Sequence, residues 1–305
     1  MRDSLDLIVI GTGIAGLAAA RQARQLNLGT LTFEPQFFGG LVINVNHLDG
    51  EIEGSGSELA ASMMMEIADL GAQSVNAAVN AIDRDGDLLA VHADGEVYRA
   101  RAVIVASGAR LKRLGVPGEA DFIDRGVSQC ADCDGPLYGG KDVVVVGGGD
   151  SALQEAMVLA GYVRQVHLVH RRETFRARQQ LVDQLAGHAN IAVHWNTEVE
   201  AVLGTQGVEG VRVRTSGTAG RPANARDIAC AGLFAYVGLE PECGFVPAAA
   251  ERDADGRLIT DARLRTTLPG IYAAGAVRSG HGGMLSHAIA DGVAAATAVK
   301  TAIGA

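Results

Sequence analysis

The chain lacks the long apolar runs and the excess of positive charge that mark two large classes of protein. No apolar run in its 305 residues approaches the roughly 18 that a membrane helix needs, so we expect no membrane span. Lys and Arg number 26 against 35 Asp and Glu, which gives a formal net charge of −9. Because phosphate binding requires clustered cations, this balance argues against a nucleic-acid partner.

Cysteine is also scarce. The chain has four cysteines, and residues 1–6 carry two acids before a short apolar strand, unlike a secretory signal. These features predict a cytoplasmic protein in a reducing compartment. Cys230 and Cys243 have no motif around them, and we expect both to be buried structural thiols.

The other two cysteines, Cys130 and Cys133, form a C-x-x-C pair. In a chain of this kind, beside a βαβ pattern, such a pair indicates a redox dithiol. The alternative is half of a zinc site, and no second Cys or His pair at ligand spacing accompanies it. We therefore assign no metal.

An apolar strand that ends in a glycine-rich turn and a helix occurs twice. Residues 6–16 read DLIVIGTGIAG, and residues 142–152 read DVVVVGGGDSA. Both follow the G-x-G-x-x-G/A pattern of dinucleotide-binding folds. The glycines allow a tight turn, let the backbone approach a pyrophosphate and pack the helix against the strand.

The two patterns are in register, because the next strand ends at the same offset in each. Glu34 follows Gly11 by 23 residues, and His170 follows Gly147 by 23 residues. Glu34 can accept hydrogen bonds from an unphosphorylated ribose, as in FAD or NAD. The second repeat offers cationic residues instead, which favour the 2′-phosphate of NADPH over NADH. These are His170, Arg171, Arg172 and Arg176. The alternative for the arginines is a solvated surface patch.

Length and repeat together predict an α/β protein with two Rossmann-like dinucleotide-binding domains of three-layer ββα type. Segments 111–119 and 238–247 contain Pro and Gly and look like paired crossings between domains. The second domain is then inserted into the first. We place the FAD-binding domain at 1–112 and 243–305, and the NADPH-binding domain with the dithiol at 113–242.

Over nearly its whole length the chain resembles the low-molecular-weight thioredoxin reductases, the FAD- and NADPH-dependent branch of the disulfide reductases. The likeness rests on the motifs GTGIAG, VIVASGA, CADCDG, GGGDSA, HRRETFRA, FAYVGLEP and GIYAAG. The resemblance implies an FAD site at Gly11, Gly13, Gly16, Glu34, Gly40, Leu41, His47, Gly108, Gly275 and Ala276. It implies an NADPH site at Gly147, Gly149, Asp150, Ser151, His170, Arg171, Arg172 and Arg176.

The resemblance also implies roles around the dithiol. Cys133 would face the flavin, Cys130 would be the interchange thiol that attacks the outgoing disulfide, and Asp134 would hand a proton to the departing thiolate. Only a thiolate attacks a disulfide, and a neighbouring carboxyl can supply the accompanying proton transfers. The implied partner is a thioredoxin or thioredoxin-like protein, and the implied assembly is a homodimer.

Several positions near the expected flavin depart from that family. The family's Gly-Gly-Gln is here Gly39-Gly40-Leu41. Its Glu-Asn-aromatic-Pro-Gly segment is here Asn46-His47-Leu48-Asp49-Gly50. Its Ala-Ala-Gly-Asp motif ends here in Ala276 in place of the aspartate. The Arg-Gln pair expected shortly afterwards has no evident counterpart, and Gly282-Gly283-Met284 occupies that region. We expect an altered flavin environment, and the nearby His281 and His287 are candidates for a functional imidazole.

Three other functions remain open from the sequence. One is a dithiol oxidase that closes a small-molecule disulfide and passes electrons to oxygen, although such relatives generally lack the intact HRRETFR motif seen here. Another is a flavoprotein reductase of a different acceptor, such as a ferredoxin. The third is a non-enzymatic redox sensor, which two complete nucleotide motifs disfavour.

Overall fold

The computed structural model describes residues 5–45, 48, 54–217 and 223–304. The chain divides into two units, one formed by Met1–Arg110 with Glu240–Ala305 and the other by Leu111–Leu239. The second unit is thus inserted into the first. Which nucleotide each unit binds stays a prediction.

The described elements follow one another in three stretches. The first stretch contains β1 (Leu5–Ile10), α1 (Ile14–Gln25), β2 (Thr30–Phe33), α2 (Gly56–Asp69), β3 (Gln73–Val75), β4 (Val79–Asp85), β5 (Leu88–Ala93) and β6 (Glu96–Val105). The second contains β7 (Ala109–Leu111), β8 (Val127–Ser128), α3 (Ala131–Asp134), β9 (Asp142–Gly147), α4 (Asp150–Ala160), β10 (Gln165–Val169), α5 (Gln179–Leu185), β11 (Ile191–His194), β12 (Thr197–Gly204), β13 (Val208–Thr215), β14 (Asn224–Ala229) and β15 (Gly232–Tyr236). The third contains β16 (Leu239–Pro241), β17 (Ile271–Ala273) and α6 (Leu285–Ile303).

The first unit is built on a seven-stranded sheet of order β3-β2-β1-β6-β5-β4, with β17 also paired to β6. Strands β1, β2, β3 and β17 run parallel to their neighbours, whereas β4, β5 and β6 form an antiparallel meander. Strand β1 is covered on both faces, as its continuous apolar run predicts. Leu7 and Val9 pack on the helical side, and Ile8 and Ile10 pack on the other.

Helices α1 and α6 lie close together because both are rich in alanine and glycine. A Cβ on Gly292 of α6 would come within 2.2 Å of the backbone oxygen of Ala15 in α1. Only glycine fits at that contact. This packing fixes α1, and with it the glycine turn from which α1 begins.

The inserted unit has a parallel sheet of order β11-β10-β9-β15-β8 and a three-stranded antiparallel sheet, β12-β13-β14. Alternate residues of β9 face opposite layers, as the two-residue period of a strand requires. Val143 and Val145 pack with α4, and Val144 and Val146 pack with the antiparallel sheet. The unit therefore has three layers in the order β, β, α.

The predicted fold class is confirmed: both units are Rossmann-like, and one is inserted into the other. Cys230 and Cys243 are free thiols that are 6% and 5% exposed, which confirms the prediction of buried structural cysteines. Within the described ranges, no helix combines the length and the apolar character needed to cross a membrane.

Candidate active site

The C-x-x-C pair lies at the start of α3, where Cys130 and Cys133 are joined in a disulfide. The Cys130 sulfur accepts the backbone N–H of Cys133 at 3.2 Å. The N–H of Cys130 donates in turn to Ser128 Oγ at 3.1 Å. Cys133 is exposed and Cys130 is half-buried. These hydrogen bonds position Cys130 beside the exposed Cys133, and the separate roles given to the two cysteines stay predictions.

Besides Asp132, which lies between the two cysteines in the sequence, two carboxyl groups lie near the dithiol, and sequence reasoning assigned a role to only one of them. Asp134, the predicted acid, ends α3 and is half-buried. Burial, and next the charge of Asp134, raise the pKa of Tyr138. The other carboxyl is Glu155 of α4, whose Oε2 accepts the N–H of Ala131 at 3.1 Å and the hydroxyl of Tyr236 at 3.2 Å.

Burial raises the pKa of Glu155, with the charge of Asp132 acting in the same direction. No local pattern marks this carboxyl, because it lies 24 residues from Ala131 and 81 residues from Tyr236 in the sequence. The sequence could have pointed to Glu155 only through its position on the core side of a helix that starts at a glycine turn. The structure therefore adds a half-buried acid to the candidate site.

The first glycine turn joins β1 to α1. Gly11 has φ +98°, and a Cβ there would lie 2.5 Å from the Ala106 oxygen. A Cβ on Gly16 would lie 1.9 Å from the Gly11 oxygen, so the helix packs directly on the turn. Gly13 differs, because the nearest atom to its added Cβ is the Gly39 oxygen at 3.8 Å. The space in front of Gly13 is therefore open to a ligand.

Glu34 lies directly after β2 and reaches back to this turn. Its Oε2 accepts the N–H of Thr12 at 2.9 Å and the Thr12 hydroxyl at 3.2 Å. Its Oε1 accepts the N–H of Gln36 at 3.2 Å. Strand end and glycine turn are thus brought together as the register predicted.

One of the other residues assigned to FAD lies against the same turn. Gly40 is close, since its added Cβ would lie 3.4 Å from Gly13 Cα. The neighbouring Leu41 is 44% exposed. Gly108 follows β6 with φ +70° and has nothing within 4 Å of an added Cβ. His47 lies outside the described residues.

The turn after β17 completes this region. Gly275 has φ +78°, and an added Cβ would lie 2.8 Å from the Cβ of Ala15 at the start of α1. Its N–H donates to Asp291 Oδ2 at 3.0 Å. Ala276, which replaces an aspartate of the family that the sequence resembles, offers no polar side chain.

Asp291 anchors a cluster that sequence reasoning missed. Arg278 donates to both carboxylate oxygens, from Nε and Nη2, at 2.7 Å each. His281 Nδ1 lies 3.3 Å from Oδ2. Burial opposes the charge of Asp291, but the hydrogen bonds from His281, Arg278 and Gly275 outweigh it and hold its pKa well below the usual value. The imidazole suggested near the flavin thus has a definite partner within the first unit.

The second glycine turn joins β9 to α4. A Cβ on Gly147 would lie 2.5 Å from the Tyr236 oxygen, whereas a Cβ on Gly149 would meet nothing within 4 Å. Gly149 thus presents an open backbone, as Gly13 does in the first unit. Ser151 is exposed in the first turn of α4.

Asp150 is engaged within the protein. Its Oδ1 accepts the backbone N–H of Arg178 at 2.8 Å, and its Oδ2 accepts the Arg178 Nε at 2.7 Å. This carboxylate therefore holds the segment that follows β10 against the start of α4. Sequence reasoning assigned Asp150 to the nucleotide, and the geometry adds this second set of contacts.

His170 is buried, at 7% exposure, and differs from the arginines that follow it. Its Nε2 hydrogen-bonds the Thr174 carbonyl at 2.9 Å, and its ring fills the place of a Cβ on Gly148. Burial lowers its pKa. Because its ring is enclosed and burial disfavours its charged form, His170 contributes to the shape of the turn rather than to an exposed cationic surface.

The three arginines of the cluster are exposed. Arg171, Arg172 and Arg176 have no side-chain ion pair within the described part of the chain. The backbone N–H of Arg176 donates to the Gly148 oxygen at 2.7 Å, which places this residue beside the turn. Free guanidinium groups next to an open glycine turn are suited to a phosphate.

Comparison with known proteins reveals extensive similarity. Residues 5–292 match the family described as pyridine nucleotide-disulphide oxidoreductase. The thioredoxin reductase of Treponema pallidum (strain Nichols) is 37% identical over 307 residues, which cover 99% of this chain and 98% of that protein. The bifunctional thioredoxin reductase/thioredoxin of Mycobacterium leprae (strain TN) is 36% identical over 276 residues, 88% of this chain and 59% of that protein. The crystal structure of Lactococcus lactis thioredoxin reductase (FR conformation) aligns with a TM-score of 0.92 at 31% identity, covering 99% of this chain and 100% of that one.

Proposed function

Because this chain belongs to the pyridine nucleotide-disulphide oxidoreductases and, within them, to the thioredoxin reductase family, we propose that it reduces a protein disulfide with electrons from NADPH. The electrons would pass from NADPH to FAD, then to Cys130 and Cys133, and then to a thioredoxin or thioredoxin-like protein. The observation that carries this proposal is the Cys130–Cys133 disulfide in the same unit as the second glycine turn.

The first unit fits FAD. The open space in front of Gly13 would admit the pyrophosphate, and Glu34, which contacts the same turn, would accept a hydrogen bond from a ribose hydroxyl. Bound FAD would supply the two-electron transfer between nicotinamide and disulfide. Ala276 and Leu41 would give the flavin apolar contacts in place of polar ones, so the altered environment expected from the sequence is retained in this proposal.

The inserted unit fits NADPH. The open backbone at Gly149 would receive the pyrophosphate, and the exposed Arg171, Arg172 and Arg176 would bind the 2′-phosphate. Family membership implies NAD(P)H without distinguishing the two forms. The preference for NADPH rests on these three cations.

The chemistry of the dithiol follows from thiol exchange. The Cys130 thiolate would attack the partner's disulfide, breaking its S–S bond and forming a mixed disulfide at Cys130. The Cys133 thiolate would then attack the Cys130 sulfur, release the second partner thiolate and restore the intramolecular disulfide. Asp134 would donate a proton to a departing thiolate. The net change is that two electrons and two protons convert the partner's disulfide to two thiols.

The partner and the setting are part of the proposal. A relative that carries thioredoxin on the same polypeptide supports a thioredoxin-like partner. Two buried free cysteines suit a reducing cytoplasm. We extend the family resemblance to a homodimer. Size-exclusion chromatography with light scattering would test this oligomeric state directly.

Anaerobic titration of the flavin-loaded protein with NADPH tests the electron path. We expect uptake of two reducing pairs per flavin in the wild type and one in Cys133→Ser, because that variant cannot form the disulfide. Adding oxidised thioredoxin should then reoxidise the wild type only. If a small dithiol alone reduced the flavin and NADPH did not, the result would contradict this proposal and favour a dithiol oxidase.

A further inference from the structure

Glu155 and Tyr236 form a polar pair directly beneath the dithiol helix. The Glu155 carboxylate accepts the N–H of Ala131, the residue that follows Cys130, and the hydroxyl of Tyr236. Ala131 is 0% exposed, Tyr236 is 7% exposed and Glu155 is half-buried, so both contacts are partly sheltered from water. The peptide group between Cys130 and Ala131 is therefore held by an ionisable side chain.

The groups that act on this carboxyl come from two elements. Asp132 on α3 carries a negative charge that disfavours ionisation of Glu155, and the hydroxyl of Tyr236 at the end of β15 favours it. The N–H of Ala131 favours it as well. Glu155 in turn acts on Tyr236, whose pKa is raised by burial first and then by the Glu155 charge.

We propose that Glu155, held by Tyr236, is a positioning residue whose charge controls the acidity and the reduction equilibrium of the Cys130–Cys133 pair. Its place in turnover rests on the function proposed above. The control acts through the Cys130–Ala131 peptide and through the field of the carboxylate, since Glu155 accepts no hydrogen bond from either sulfur in this structure.

The physical basis is repulsion between like charges in a sheltered site. Reduction adds two electrons, breaks the S–S bond and takes up two protons if both sulfurs become thiols, or one proton if one sulfur stays a thiolate. An ionised Glu155 disfavours the thiolate and so favours the product with two thiols. A thiolate reciprocally raises the pKa of Glu155, because the linkage acts equally on both groups.

Glu155→Gln tests the proposal, because glutamine keeps the size and an acceptor oxygen but removes the charge. The flavin-loaded full chain would be equilibrated with reduced and oxidised dithiothreitol from pH 5.5 to pH 9, quenched with an alkylating agent, and its thiols counted by mass spectrometry. At pH 9 we expect the equilibrium constant for reduction to rise about tenfold, equivalent to about 30 mV for a two-electron couple. The difference should disappear as the pH falls below the higher of the Glu155 pKa and the thiol pKa, because the repulsion requires both groups to be charged.

Two further variants separate charge from packing. Glu198→Gln removes an equal charge from an exposed position on β12 of the same unit and should match the wild type at every pH. Tyr236→Phe keeps the carboxyl but removes a donor to its charged form, so the pH at which it diverges from Glu155→Gln should move upward. If Glu155→Gln folds poorly, Tyr236→Phe and Glu155→Asp carry the test, since both retain an ionisable group.

The alkylation rate of the reduced pair provides a second readout. Its pH profile should move to lower pH in Glu155→Gln, because the thiolate forms more readily. Identical profiles in wild type and Glu155→Gln would overturn the proposal, and so would a change of equal size at every pH. Neither measurement uses NADPH or thioredoxin, so failure of the proposed function and failure of this inference are distinguishable.

Discussion

The carboxylate of Asp150 accepts two hydrogen bonds from Arg178, one from its backbone N–H at 2.8 Å and one from its Nε at 2.7 Å. Asp150 is the first residue of α4, and Arg178 ends the segment that carries the exposed arginines. The proposed phosphate-binding residues are thus fastened to the second glycine turn. This relationship leads to the first prediction.

Asp150→Asn should weaken NADPH binding by about three- to tenfold, because one charge-assisted hydrogen bond of a largely exposed pair is lost. Titration of binding by calorimetry would measure it. Asp227→Asn is the matched control, since it removes a similar exposed pair with Arg212 between β13 and β14. Equal NADPH affinity in the wild type and Asp150→Asn would show that the Asp150–Arg178 hydrogen bonds do not contribute to nucleotide binding.

The exposed arginines should select the phosphorylated nucleotide. Replacing Arg171, Arg172 and Arg176 together by Gln should lower kcat/KM for NADPH by about 100-fold and change that for NADH little, because only NADPH carries the 2′-phosphate. Steady-state rates with both nucleotides would measure the ratio. Arg113→Gln, an exposed cation of the same unit, serves as control. An unchanged ratio would leave the arginines as a solvated patch.

Gly13 and Gly16 should respond differently to alanine. At Gly16 the added methyl would lie 1.9 Å from the Gly11 oxygen, so we expect a clear fall in the melting temperature of the protein before flavin is added. At Gly13 the nearest atom is 3.8 Å away, so the fold should persist while FAD affinity falls, because the methyl occupies the open approach. Thermal melts and flavin fluorescence titration measure the two effects. Tight FAD binding by Gly13→Ala would contradict the proposed site.

Asp291 should stabilise the first unit in a pH-dependent way. Asp291→Asn removes one partner of a nearly buried pair and should cost about 3 kcal/mol of unfolding free energy at pH 7. The folded-state pKa of Asp291 is depressed. The contribution of the Asp291 charge to stability is therefore complete above the unfolded-state pKa of about 4, and it is lost as the pH falls toward the folded-state pKa.

Denaturant unfolding at several pH values would measure this dependence. The wild type and Asp291→Asn should differ fully at pH 6, and the difference should begin to shrink below about pH 4 and keep shrinking toward the folded-state pKa. Asp261→Asn provides a comparison, because Asp261 pairs with Arg265 at a more exposed position in the same unit. A difference between wild type and Asp291→Asn that stays constant from pH 7 down to about pH 2 would mean that the charge of Asp291 is not involved.

The fold was predictable because its signals are local and repeated. Two apolar strands lead into glycine turns with the same offset to the next strand end, and in the structure both strands pair in parallel with their neighbours. The meeting of Glu34 with the first turn follows from that register. Such features depend on residues close in sequence, where spacing alone determines which face or turn a residue occupies.

The contacts that sequence reasoning missed depend on distant packing. Glu155 meets Tyr236 across 81 residues, and no spacing indicates that pairing. His170 was grouped with the arginines by its position, but packing beneath Gly148 encloses its ring. Asp291 meets Arg278 only because α6 returns to the turn after β17. In each case the contacts and the burial of a polar side chain depend on an element that is distant in the sequence and packs against it.

The two chain crossings between the units have a consequence for expressing the units separately. Strands β7 and β16 pair, and the N–H of Lys112 donates to the Gly238 oxygen at 2.9 Å. The entry and exit of the inserted segment are therefore neighbours. A short peptide replacing residues 112–238 would join positions that already touch, so each half could be expressed alone or transplanted into a homologous scaffold with its ends intact.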